Sequence, residues 1–142
     1  PSMANAITPD LRRAYRRCIY CVFASSGVVE IIVNESDIAM DNLLAEHNVT
    51  SAAFITAWNP ASRRLDDGAN ANRNKVLQAD IKAAGFSYIS GEGRDPAGEW
   101  PPEQSLLILG IARAEATKLA RRHGQNAYVF LQMHSPAILV EV

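Results

Sequence analysis

Cysteine is close to missing from this sequence, with two residues among 142, Cys18 and Cys21. Two thiols cannot build the disulfide framework of a small secreted domain, and a chain of this length buries enough surface to need none. Histidine is as sparse. His47, His123 and His134 are too scattered for metal-ligand spacing, so neither a metal site nor a cofactor is expected. Long hydrophobic runs are lacking too: apolar stretches such as residues 51–58 fall far short of the ~20 residues a membrane-spanning helix needs. Residues 1–10 contain no apolar signal-peptide core. Nor does one sign of charge dominate, since 14 Lys and Arg face 15 Asp and Glu for a net charge of −1. That balance provides no general attraction to nucleic acid or to an acidic membrane, and neither is expected as a partner. The exclusions leave a globular domain of the reducing cytoplasm, its oligomeric state open. Pro1 and Ser2 ahead of Met3 read as a cloning remnant, and one globular domain over residues 3–142 is expected.

What is present alternates between strand and helix patterns. Thr8-Pro9-Asp10 offers a cap and a first-turn proline for a short helix to Arg17. Two apolar runs, residues 18–23 and 28–33, flank a Ser-Ser-Gly turn and predict a β-hairpin. Ser36 and Asp37 open a helix carrying Ile38, Met40, Leu43 and Leu44 at near-helical spacing. Residues 51–57 are apolar on both faces, which suits a central strand, and Trp58-Asn59-Pro60 ends it. A helix over 68–84 is expected to bury Val76, Leu77, Ile81 and Ala84, with Gly85 as its stop. Strands at 86–90 and 105–109 flank a glycine- and proline-rich loop over 91–102. A third major helix, 111–122, and a final strand pair at 127–132 and 137–142 follow. The fold class is α+β or α/β, one domain with about three helices packed on a mixed sheet, in the order β-β-α-β-α-β-β-α-β-β, strand order unresolved.

Several motifs could carry chemistry. Cys18 and Cys21 form a C-x-x-C, but without a second pair, and on opposite strand faces, they read as buried structural thiols. Arg12, Arg13, Arg16 and Arg17 could grip phosphate, although the balanced charge favours a solvated helix face. The Gly91-Glu92-Gly93-Arg94 segment lacks the ending of a phosphate-binding loop and is expected to lie irregularly over a cleft, with Trp100 covering apolar surface. Thr56, Trp58 and Asn59 sit where a central strand exits, where open sheets collect ligands. Asn70 and Asn74 share one helix face beside Arg73, despite the cost of asparagine in a helix. Either these amides face a ligand or Asn59 and Asn70 cap turns and helix ends. Glu92 and Glu103 are the candidate catalytic carboxylates, each able to act as a general base.

The residues Phe54-Ile55-Thr56-Ala57-Trp58-Asn59-Pro60, then Asn70, Leu77, Gly91 and Glu103-Gln104-Ser105, followed by Gly124-Gln125-Asn126-Ala127-Tyr128 and Ile138-Leu139-Val140, resemble a bacterial family catalogued as a domain of unknown function, number 3293. The resemblance spans residues 14–142 and implies one compact domain, with no activity to transfer. Within its signatures, Gln125 and Asn126 stand directly before a strand, as Asn59 stands directly after one. If those strand ends are neighbours, the amides converge on one patch suited to recognising a polar ligand.

Three functions compete. The first is a cleft for a small polar or anionic ligand, a nucleotide included, lined by Thr56, Trp58, Asn59, Asn70, Arg73, Arg94, Glu103, Gln125 and Asn126. The second is an interaction module in which the signatures merely lock turns. The third is a small hydrolytic enzyme with Glu103 or Glu92 as base and Arg94 as electrostatic partner.

Overall fold

A computed structural model describes residues 7–142. The remnant and start expected at residues 1–3 lie outside the described residues. Thr8 caps helix α1 (Pro9–Arg17), its hydroxyl accepting from the Leu11 N–H at 3.1 Å. The predicted hairpin follows as β1 (Ile19–Ala24) and β2 (Gly27–Ile31), antiparallel, with Phe23 opposite Val28. Helix α2 (Ile38–Glu46) is capped one residue later than expected, by Asp37, whose carboxylate accepts from the Ala39 N–H at 2.8 Å. It buries Met40, Leu43 and Leu44, but Ile38, at the first helical position, is 76% exposed.

The rest of the chain supplies β3 (Ser51–Ile55), a 3-10 turn (Pro60–Ser62), α3 (Asp67–Ala83), β4 (Ser87–Arg94), β5 (Glu103–Leu109), α4 (Arg113–Arg122), β6 (Ala127–Gln132) and β7 (Ile138–Glu141). All seven strands form one sheet in the order β2-β1-β4-β5-β3-β6-β7. Every neighbouring pair is antiparallel, so the domain is α+β, and the mixed sheet expected from the sequence is corrected. Among the described residues there are four α-helices rather than about three, because α1 precedes the hairpin with which the expected order began. None is long and apolar enough to cross a membrane.

β3 lies between β5 and β6, and its apolar alternation serves two cores. Ala52 and Phe54 join Val22, Ile31, Leu107 and Val129 beneath α2. Ala53 and Ile55 join Ile108, Phe130, Leu77 and Ile81 beneath α3 and α4. Leu77 and Ile81 are fully buried, contributing roughly 1.5–3 kcal/mol each. The buried face of α3 is otherwise Asn70 and Asn74, while Val76, expected on that face, is 57% exposed.

The glycine-rich stretch is also corrected. Gly91, Glu92, Gly93 and Arg94 belong to β4, which pairs with both β1 and β5. A Cβ at Gly91 would lie 2.2 Å from the Cys21 carbonyl oxygen, so only glycine lets β1 and β4 approach there. The irregular loop is confined to residues 95–102.

Candidate functional site

Antiparallel pairing brings three strand ends to one edge of the sheet. Ile55 at the end of β3 pairs with Leu106 near the start of β5, and Phe54 pairs with Val129 near the start of β6. The segments leaving those ends carry Thr56–Asn59, Glu103 and Gln125–Asn126. Residues separated by up to 70 positions therefore meet.

The chain leaving β3 is irregular, and asparagines satisfy its backbone. Asn74 accepts from the Ala57 N–H at 2.8 Å and donates to the Gln104 carbonyl at 2.9 Å. Asn70 accepts from the Asn59 N–H and donates to Asn59 Oδ1, both at 2.8 Å. Asn59 Oδ1 also accepts from the Leu65 N–H at 2.9 Å, and its amide donates to Glu103 Oε2 at 3.0 Å. Asn59 has φ 46°, the left-handed region that asparagine tolerates better than most residues. Thr56 Oγ1 donates to the Gln104 carbonyl at 2.6 Å and accepts from the Trp58 N–H at 3.0 Å. Burying these backbone groups without partners would cost about 1–3 kcal/mol each, so the amides are what permits the chain to turn inside the protein.

Beside this knot opens a cleft of about 100 Å³. Tyr20, Phe54 and Val129 line it from the sheet, and α1 adds Leu11, Ala14 and Tyr15, followed by Cys18 at its C-cap. Trp100 and Pro101 close another side. The Asp95 carboxylate holds that loop, accepting from the N–H groups of Ala97, Glu99 and Trp100 at 3.0, 2.9 and 3.2 Å. Thr56, Trp58, Asn59, Ser62, Glu103 and Gln125 line the end where the strands converge.

A model of the family described as "Protein of unknown function (DUF3293)" matches residues 55–128, just over half of the chain. The chain belongs to the DUF3293 family. No curated protein and no solved structure matches it. The matched segment holds the whole asparagine knot together with Glu103 and Gln125, whereas α1 lies outside it.

Within this DUF3293 chain the residues singled out from the sequence fall into three places. Thr56, Trp58, Asn59, Glu103 and Gln125 line the cleft. Asn70, Arg73 and Asn126 stand behind its wall. Arg73 donates to the carbonyls of Ala57 at 3.2 Å and His123 at 3.3 Å, and Asn126 donates to Ser62 Oγ at 2.8 Å. Arg94 and Glu92 do not line the cleft; they pair with each other at 2.6 Å on β4. Gln125 donates to the carbonyls of Trp58 and His123, both at 3.3 Å, so even this cleft amide supports backbone. Among the described residues no group of three or more His, Cys, Asp and Glu could hold a metal ion.

The wall from α1 went unrecognised in the sequence. Leu11, Ala14, Tyr15 and Cys18 recur at i, i+3, i+4 and i+7, an apolar stripe overshadowed by the four arginines between them.

Burial shifts Glu103, Cys18, Tyr15 and Tyr20 toward their neutral forms. Burial raises the Glu103 carboxyl above its ordinary value, partly opposed by the hydrogen bond from Asn59. Burial pushes the Cys18 thiol up to about 11, helped by the negative charges of Asp95 and Glu103. Tyr15 and Tyr20 are likewise held above the ordinary phenol value by burial.

Proposed function

We propose that this DUF3293 domain binds a small organic molecule in the cleft where β3, β5 and β6 converge. The observation that carries the reading is the lining itself: an apolar, aromatic recess with two carboxylates, Asp95 occupied by the N–H groups of its own loop and Glu103 half-buried, which is the composition of small-molecule sites. Its volume is on the scale of cavities that hold one aromatic ring; an engineered cavity of about 150 Å³ takes up benzene. No Lys or Arg lines the cleft, and Arg73 and Arg94 are engaged outside it. The lining therefore favours a ligand without negative charge over a nucleotide. Free thiols at Cys18 and Cys21 support a reducing setting, here a bacterial cytoplasm.

The test uses the chain's two tryptophans, because Trp58 and Trp100 both line the cleft. In a fragment screen by thermal shift, fragments that stabilise the protein should also change tryptophan emission, since selective binding to the native state raises its stability. Stabilising fragments that leave both emissions untouched would place the binding site elsewhere.

A second reading is supported by Glu103. A carboxyl held above its ordinary value inside a recess is what a general base of a hydrolase requires. It would act alone among the sequence candidates, because Glu92 and Arg94 lie outside the cleft. Turnover of p-nitrophenyl acetate that disappears in Glu103→Gln would favour this reading; equal rates in both proteins would remove it. The saturated amides would also suit an interaction domain with no ligand, and the cleft is what argues for an occupant.

A further inference from the structure

The hydrogen-bonding groups around the cleft are unevenly occupied. Every tyrosine hydroxyl there already has a partner. Tyr20 donates to the Tyr15 carbonyl at 2.6 Å, Tyr128 donates to the Arg113 carbonyl at 3.0 Å, and Tyr15 shares a hydrogen bond with Ser62 at 3.0 Å. Thr56 and Ser105 give their hydroxyl protons to backbone carbonyls, at 2.6 and 3.0 Å. Asp95 is surrounded by three backbone N–H groups. Glu103 is the exception among the hydroxyls and carboxylates of the lining. Among the described residues it accepts one hydrogen bond, from Asn59, and forms no ion pair, leaving most of its four acceptor sites open. A half-buried carboxylate in this condition is costly until a donor, best of all a cation, meets it.

We infer that the cleft's ligand is an organic amine bound as its cation, with the ammonium on Glu103 and the apolar body among the rings of Tyr20, Phe54, Trp58 and Trp100. The inference rests on the ligand-cleft reading above and adds the charge of the occupant. Three features converge on it. The charged group of the recess with open hydrogen-bonding sites is an acceptor, Glu103, so beside the indole N–H groups of Trp58 and Trp100 it selects a ligand that brings a charged donor. No Lys or Arg competes for Glu103 or repels a cation. Tyr and Trp rings attract a nearby cation through their negative faces, most strongly where water is excluded. A carboxylate ligand would meet repulsion from Glu103 with no compensating positive group.

Three probes of one shape and different charge test this on the full chain: phenethylamine, phenethyl alcohol and phenylacetate, each titrated while the emission of Trp58 and Trp100 is followed. The amine should bind about tenfold more tightly than the alcohol, and phenylacetate most weakly, the factor expected of a hydrogen bond to a charged group. In Glu103→Gln the preference for the amine over the alcohol should disappear. Circular dichroism and the melting temperature establish that the variant is folded. If alcohol and amine bind equally well to the parent chain, or if Glu103→Gln keeps the amine preference, the amine inference is overturned while the cleft reading stands. If none of the three probes alters the emission at millimolar concentration, both fall.

Discussion

Asn59 and Asn70 hold each other through two hydrogen bonds of 2.8 Å, one from backbone to side chain and one from side chain to side chain. The pair fixes the left-handed residue at which the chain turns away from β3, and Asn70 is 1% exposed. Replacing Asn70 by Ala strands the Asn59 N–H and leaves a void. Asn70→Ala should therefore lower stability by about 2–4 kcal/mol, read from urea unfolding. Asn74→Ala should cost a similar amount, and the double variant should lose less than the sum, because both side chains secure the same segment.

Glu103 makes stability depend on pH in a particular direction. Its carboxyl is raised in the folded state, so the fold favours the protonated form. The stabilisation from that form is complete below the ordinary carboxyl value of 4.5 and is lost as pH rises through the higher folded value. Near neutral pH the ionised group thus opposes folding. Glu103→Gln retains an oxygen for the Asn59 amide and removes the charge. Its melting temperature should exceed that of the parent chain near neutral pH, with the gain vanishing at acid pH below the carboxyl range. Scanning calorimetry across that interval checks the sign.

The 3-10 turn carries strain at a second position. Ala61 has φ 54°, where an L side chain is crowded, and its N–H donates to the Gly124 carbonyl at 2.6 Å. Ala61→Gly removes the crowded Cβ and keeps the hydrogen bond. After the entropy that glycine adds to the unfolded chain, a net gain of about 1 kcal/mol is expected in thermal unfolding.

Cys18 should be a slow nucleophile. A thiol pushed from 9.0 to about 11 carries about a hundredfold less thiolate at mildly alkaline pH than an ordinary cysteine. Iodoacetamide should alkylate Cys18 about a hundredfold more slowly in the native chain than in the urea-unfolded one. A molecule seated in the cleft should slow it further, and peptide mapping separates it from the fully buried Cys21.

Local signals in the sequence translated well. Thr8-Pro9 marks the start of α1, and the Ser25-Ser26-Gly27 turn marks the hairpin, because caps and tight turns depend on a few adjacent residues. The central place of β3 was legible for a similar reason, since its apolar residues alternate between two cores. What was illegible depends on distant partners. Asn70 and Asn74 count as polar in any periodicity, so the buried face of α3 was shifted onto Val76; their burial makes sense only beside the backbone of residues 57–59. Gly91 suggests a loop until the Cys21 carbonyl is placed against it. The convergence of Asn59, Glu103 and Gln125 on one recess follows from the strand order, which no local pattern encodes.

Arg12 grips Glu141 with two nitrogens, at 2.7 and 2.8 Å, across 129 residues of chain. The helix that closes the recess is thus fastened to the strand farthest from it along the described chain. The aromatic chamber owes one of its walls to an ion pair with β7, a strand at the edge of the sheet.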